Sequence, residues 1–211
     1  MITPTIESLE VVRRISDRIG NQTFHHHFHI LYDLPLPNLH RPTYLEIGCY
    51  AGASAILMLQ KDWMHAVSID VGAPIPQSVV EANVEANNPN KNTFCYVLGD
   101  SHQKETFERV SDLSVDVLFI DGDHTGNGVK QDWEMYSQLV VPGGWIVFDD
   151  YNDEKYSPDV KQAVNDISEA LNPSAFRVYG TLPNTLGARG FPPSFTDGNC
   201  FVVQKLFGSD R

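Results

Sequence analysis

The sequence predicts an α/β fold: a doubly wound, mainly parallel seven-stranded sheet with an antiparallel C-terminal edge hairpin. Three observations predict it. From Thr43 onward, short apolar runs alternate with segments of helical spacing, the pattern of a parallel sheet covered by helices on both faces. The run 115–120 is apolar almost throughout, as a central strand buried on both sides requires. The last two apolar runs have no helix between them, which implies an antiparallel pair at a sheet edge.

Taken in order, residues 5–20 place Ile6, Leu9, Val12, Ile15 and Ile19 on one helical face, and Gly20 supplies a stop. Residues 21–41 read as loop, rich in aromatics and carrying the run His25-His26-His27-Phe28-His29. Strands are then expected at 44–47, 66–69, 94–98, 115–120 and 145–148, each followed by a helix, at 54–61, 77–87, 104–110, 129–139 and 159–171. The closing strands are expected at 175–181 and 200–205, joined by a Pro/Gly-rich stretch at 183–198. The division that follows is an N-terminal helix and loop over 1–41, a candidate lid, and one main domain over 42–211.

Composition narrows the function classes. With 15 Lys+Arg against 27 Asp+Glu, the 211-residue chain carries a formal charge of −12, which repels phosphate backbones and anionic lipid surfaces. Nucleic acid and membrane are therefore not expected as partners. No stretch approaches the roughly 20 apolar residues that span a bilayer. The first ten residues lack the basic and apolar segments of a secretory signal. Cys49, Cys95 and Cys200 are odd in number and widely spaced, which fits a reducing, cytoplasmic setting.

In sheets of this kind ligands bind beyond the carboxyl ends of the strands, so those positions carry the functional reading. After the first strand comes Glu46-Ile47-Gly48-Cys49-Tyr50-Ala51-Gly52-Ala53-Ser54. Its glycines permit a tight turn and close approach of a ligand to a helix start. Tyr50 stands where a dinucleotide's pyrophosphate would need glycine, which argues against NAD or FAD but not against a nucleoside ligand lacking a pyrophosphate. Asp70 follows the second strand, 22 residues after Gly48, at the position of an acceptor for ribose hydroxyls. Asp100 and Ser101 follow the third, where Asp100 either accepts from an adenine amino group or caps the next helix. Asp121-Gly122-Asp123-His124 follows the fourth strand and Asp149-Asp150 the fifth. Carboxylates gathered at two adjacent strand ends repel one another unless a cation neutralises them, and oxygen ligands suit a hard ion such as Mg2+.

These residues resemble a known group. Glu46-Ile47-Gly48-Cys49-Tyr50-Ala51-Gly52-Ala53-Ser54, Ile69-Asp70, Phe119 through His124, and Pro142-Gly143-Gly144-Trp145 leading to Asp149-Asp150 are similar to the motifs of class I S-adenosylmethionine-dependent methyltransferases with a Rossmann-like sheet. The likeness is strongest to the metal-dependent O-methyltransferases of catechol, caffeoyl-CoA and macrolide-sugar types, and it spans roughly residues 43–206. It implies S-adenosylmethionine bound by Glu46, Gly48, Tyr50, Gly52, Ser54, Asp70, Asp100 and Ser101, and Mg2+ or another divalent cation held by Asp121, Asp149 and Asp150. Where the catechol type has a lysine base this chain has His124, as the sugar-modifying relatives do. That departure favours a sugar or polyol hydroxyl, and His124 titrates in a range useful to a base. Asp123 is left as ligand, orienting group or turn residue.

The expected reaction is methyl transfer to a metal-chelated hydroxyl of a small molecule, with a homodimer, common for such folds, as the candidate assembly. Two rivals stand beside it. An antibiotic-hydroxylase-like metalloenzyme would share the aspartate-rich crevice, but non-haem iron ordinarily takes two histidines and a carboxylate. A non-catalytic nucleoside-binding module would keep Gly48, Gly52 and Asp70 and need no carboxylate cluster. The histidine run over 25–29 reads first as aromatic packing over the sheet edge, and second as a transition-metal tract or part of a lid. Trp133 and Trp145 read as packing residues.

Overall fold

The computed structural model describes residues 6–19, 28–181 and 199–207. Helix α1 (Ile6–Ile19) and the short α2 (His29–Asp33) precede the sheet. Then β1 (Thr43–Ile47), α3 (Ala53–Met58), β2 (His65–Asp70), α4 (Gln77–Asn87), β3 (Thr93–Leu98), α5 (Lys104–Glu108), β4 (Val115–Ile120), α6 (Gly126–Tyr136), β5 (Val140–Phe148) and α7 (Val160–Ala170) alternate along the chain, and β6 (Phe176–Thr181) and β7 (Phe201–Lys205) close it.

The seven strands lie in the order β3-β2-β1-β4-β5-β7-β6, parallel from β3 to β5 and antiparallel at β5-β7 and β7-β6. The doubly wound expectation thus holds, including its antiparallel edge. The chain winds outward from β1 to β3, returns to the other side of β1 with β4, and so creates its switch point between β1 and β4.

Alternation along the strands divides the core. Tyr44, Val117, Phe119, Trp145 and Val147 face α1 to α4, while Leu45, Ile47, Leu118, Ile120, Ile146 and Phe148 face α6 and α7. All six residues of β4 are buried, which accounts for its unbroken apolar run. Val11 and Ile15 of α1, with Ile30, Leu31 and Leu34, join the first of these layers, so the segment before β1 packs onto the sheet. Asp116 secures that segment by accepting the backbone N–H of Thr43 at 2.8 Å and of Asn38 at 3.0 Å.

Three local departures from the sequence reading have clear causes. Strand β5 begins at Val140 because Val140 pairs with Val115. The Pro142-Gly143-Gly144 turn is then a bulge within the strand, since the next pair is Val117 with Trp145. Helix α6 begins at Gly126, ahead of the apolar spacing, because the Thr125 hydroxyl accepts the Gly128 N–H at 3.0 Å and caps the start. Residues 29–33 form a helical turn inside the expected loop, held by the burial of His29, Ile30 and Leu31. His25, His26 and His27, and the 183–198 stretch, lie outside the described residues.

Candidate active site

Sheet register builds the site. Ile47 is level with Ile69 on β2 and with Ile120 on β4, and Ile120 is level with Phe148 on β5. The residues one step further, Gly48, Asp70, Asp121 and Asp149, therefore stand in a row at the carboxyl edge. Backbone bonds extend the ladder through them: Gly48 N–H to Ile69 O at 2.8 Å, Asp121 N–H to Ile47 O at 2.9 Å and Asp149 N–H to Ile120 O at 3.0 Å. A cleft of about 710 Å3 opens over this row, lined from Gly48 and Asp70 through Gly99 to His102 on one side and by Asp121, His124 and Asp150 on the other.

The turn after β1 needs its glycines. Gly48, Tyr50 and Gly52 have φ of 81°, 46° and 88°, a left-handed stretch that side-chain-bearing residues resist. At Gly48 a Cβ would lie 2.0 Å from the Asp121 carbonyl oxygen, so the turn and the β4 end meet backbone to backbone. Asp70 locks the turn from β2. One oxygen accepts the N–H groups of Cys49 at 2.9 Å and Tyr50 at 3.2 Å, and the other accepts Gly72 N–H at 2.7 Å. Tyr50, Ser54 and Ser101 also reach the cleft wall.

Gly52, the left-handed cap at the start of α3, does not line the cleft, and neither does Glu46. Glu46 is 0% exposed, and its carboxylate accepts the hydroxyls of Tyr44 at 2.7 Å, Ser54 at 2.5 Å and Ser68 at 2.5 Å. Its place in the motif is explained by this hub, which ties α3 and β2 to β1 beneath the turn. Burial pushes its carboxyl up to about 7, against the pull of the three hydroxyls.

Asp100 forms a turn, accepting His102 N–H at 2.9 Å, and that bond lowers its carboxyl below the ordinary range. The cap of α5 falls on Gln103 instead. Asp123 is likewise absorbed locally: it accepts the backbone N–H of Thr125 at 2.9 Å and its hydroxyl at 3.1 Å, ahead of α6.

At the other end of the cleft, ligand atoms of Asp121, His124 and Asp150 lie within 4.8 Å of one another. His124 Nε2 is 3.5 Å from Asp121 Oδ1, and its Nδ1 is 3.3 Å from Asp150 Oδ2. Asp149 stands beside this group, 3% exposed, and accepts the Cys200 thiol at 3.5 Å. The three predicted carboxylates thus share one strand-end region, with two of them and His124 forming the tight set. Burial, with the charge of Asp149, holds the Asp121 carboxyl well above the usual range. The bond to Asp121, with the charges of Asp121, Asp150 and Asp149 behind it, raises the His124 imidazole to about 9 against desolvation. The cluster demands positive charge.

Two residues of this cluster escaped the sequence reading. Ser157, 1% exposed, donates its hydroxyl to Asp150 at 2.6 Å and lies 2.9 Å from His124 Nδ1. Asn199 donates its amide to the other Asp150 oxygen at 3.0 Å. Asp150 itself has φ of 58°, a strained conformation held in place by these contacts. Their signals were slight: Asn199 stands just before the closing strand expected at 200–205, and Ser157 just before the helix expected at 159–171.

Comparison with known proteins bears on this geometry. Over 188 residues the chain is 36% identical to the uncharacterized protein R132 of Acanthamoeba polyphaga mimivirus, covering 82% of this chain and 83% of that protein. In structure it is similar to the cofactor-bound Rv0187 from MTB, with a TM-score of 0.64 and 16% identity over 95% of this chain and 90% of that one. It is also similar to the O-methyltransferase TomG from Streptomyces achromogenes, solved in complex with S-adenosylmethionine, with a TM-score of 0.60 and 16% identity over 94% of this chain and 90% of that one. The family model of a methyltransferase domain matches residues 45–151, the span that holds the glycine turn, Asp70, Asp121, His124 and Asp150. By that match the chain belongs to the methyltransferase-domain family.

Proposed function

We propose that the protein is an S-adenosylmethionine-dependent O-methyltransferase. Its acceptor is a small molecule with a hydroxyl beside a second oxygen (a sugar, polyol or catechol-like compound), and its site takes a divalent cation such as Mg2+. One observation carries the reading. A single cleft joins the glycine turn and Asp70 to the Asp121, His124 and Asp150 cluster, so a nucleoside at one end has its reactive group within reach of the other.

The donor set fits a divalent cation. Its members are carboxylates and one imidazole, oxygen and nitrogen donors whose gathered negative charge a divalent ion would neutralise. Asp121 and Asp150 would hold the ion, with Asp149 as the third carboxylate. Such an ion, when bound, lowers the pKa of a hydroxyl that it touches. The chain's own residues supply the rest. The Asp70 oxygen that accepts Gly72 N–H keeps a second lone pair, so the carboxylate holds its turn amides while accepting from a ribose hydroxyl. Ser157 engages the Nδ1 edge of His124, and Nε2, which faces Asp121 at 3.5 Å, is the nitrogen that in the neutral ring would take the proton of the acceptor hydroxyl. No lysine or arginine is among the described residues that line the cleft, which favours an uncharged acceptor over an anionic thioester. The hydroxylase rival wants two imidazoles in its metal set, and the described cluster contains one.

A second assignment within the same reading is favoured by the close set itself, in which His124 is the third ligand in place of Asp149. Titration decides both points. Metal-stripped protein is titrated with Mg2+ while the S-adenosylhomocysteine released from S-adenosylmethionine on transfer to a vicinal-diol acceptor is followed. Transfer that rises with Mg2+ and vanishes in excess chelator is expected, and full activity in chelator excludes the chelate. H124A, as the loss of a base, lowers turnover about 100-fold or more with Mg2+ affinity kept. Loss of Mg2+ affinity in H124A assigns His124 to the metal.

A further inference from the structure

Beyond the carboxylate cluster a second ionisable pair flanks the cleft. Asp132 lies in the middle of α6 and is 0% exposed. An anion buried there has lost its water and needs a partner. Among the described residues no well-aligned hydrogen bond reaches either of its oxygens. What does approach is the ring of His102, whose Nε2 lies 3.2 Å from Asp132 Oδ1. Burial pushes the Asp132 carboxyl up to about 6, with His102 and the Ser101 hydroxyl opposing and Asp123 and Asp100 adding. The second ring nitrogen of His102, Nδ1, lies 3.8 Å from Asp100 Oδ1, and both side chains belong to the cleft wall beyond β3. The imidazole is thus set between a buried carboxylate and one that faces the ligand space.

We propose that Asp132 is a positioning residue for cofactor recognition. It holds His102 as the Nε2–H tautomer, so that Nδ1 of the neutral ring and Asp100 act together as two acceptors for the exocyclic amino group of adenine. The proposal rests on the adenosyl cofactor of the preceding reading. Its chemistry is simple: a primary amine on a purine carries two hydrogens, and the two acceptors, 3.8 Å apart, take one each through bent hydrogen bonds. A purine bearing a carbonyl there would set lone pair against lone pair, and a site built on hydrogen-bond acceptors rejects such an analogue strongly. Asp132 has no place in the cleft wall, so it does not touch the ligand itself and acts through its neighbours, His102 above all.

The test compares S-adenosylhomocysteine with its deaminated form, S-inosylhomocysteine, by calorimetry, and reads the His102 tautomer by long-range 15N NMR in the ligand-free protein under conditions where the ring is neutral. Wild type is expected to show the Nε2–H tautomer and to bind the adenosyl compound roughly 10- to 100-fold more tightly. D132L, which replaces the buried carboxylate by an apolar group of similar size, is expected to mix the tautomers and lose most of that ratio. D132N keeps an acceptor oxygen and is expected to restore both. An Nδ1–H tautomer in wild type, binding of both nucleosides with equal affinity, or a ratio unchanged in D132L overturns the proposal. The two wild-type measurements decide it even if D132L does not fold. Failure of wild type to bind either nucleoside overturns the cofactor reading itself, a different result from binding without discrimination.

Discussion

Replacing Gly48 by alanine tests the join on which the whole site depends. The residue has φ of +81°, and a Cβ there would lie 2.0 Å from the Asp121 carbonyl oxygen, 2.7 Å from its carbon and 2.8 Å from Gly122 Cα. All three are backbone atoms, so no side-chain rotation relieves the overlap. The left-handed conformation costs a residue with a Cβ about 1–2 kcal/mol, and overpacking of this kind adds about 1–3 kcal/mol. Moving the β4 end also strains the Asp121 N–H to Ile47 O bond of 2.9 Å, whose loss costs about 0.5–1.5 kcal/mol. Taken together, G48A should lose about 3–6 kcal/mol, which at about 2–4 °C per kcal/mol for a chain of this size lowers Tm by roughly 10–20 °C. Gly180 is the matched control, since its φ is +73° and a Cβ there meets nothing within 4 Å. G180A incurs the conformational cost alone and should lower Tm by only about 2–8 °C. Scanning calorimetry of both variants measures the difference. G48A melting within about 3 °C of G180A would refute the argument that the turn and the β4 end are packed backbone to backbone.

Other parts of the site respond to different perturbations. The Glu46 carboxyl is raised to about 7 in the folded chain, so the native state holds that proton more tightly than the unfolded state does. Its contribution therefore favours folding at low pH and declines as pH rises from the unfolded carboxylate range, about 4.3, through about 7. Urea titrations at pH 5 and pH 8 should show wild type losing about 2 kcal/mol on this account relative to E46Q, and parallel pH profiles for the two would rule it out. For S157A, which frees both Asp150 and His124 from the hydroxyl that joins them, turnover should fall about tenfold with S-adenosylhomocysteine affinity kept. Unchanged kcat in that variant, read from methyl transfer at saturating cofactor, would show that the contact does not orient the reacting groups.

The sequence by itself determined the layers and the positions at which chemistry can occur. Apolar runs of strand length and segments of helical spacing are local signals, and the residue one step past each run falls at a sheet edge whatever the rest of the chain does. Gly48, Asp70, Asp121 and Asp149 were legible for that reason, as were the left-handed turn after β1 and the antiparallel closing strands. Sheet order and packing decided the remainder. Glu46 stands one residue from Ile47 at the strand end, yet its side chain points into the core, where three hydroxyls hold it. Ser157 is 33 residues from His124, and Asn199 is 49 residues from Asp150. Asp132 meets His102 because α6 lies behind the β3 end of the cleft. Such pairings have no local pattern to announce them. They arise because the sheet's crossovers bring separate loops to one edge, and because each buried polar group must find its partner among whatever side chains that folding places nearby.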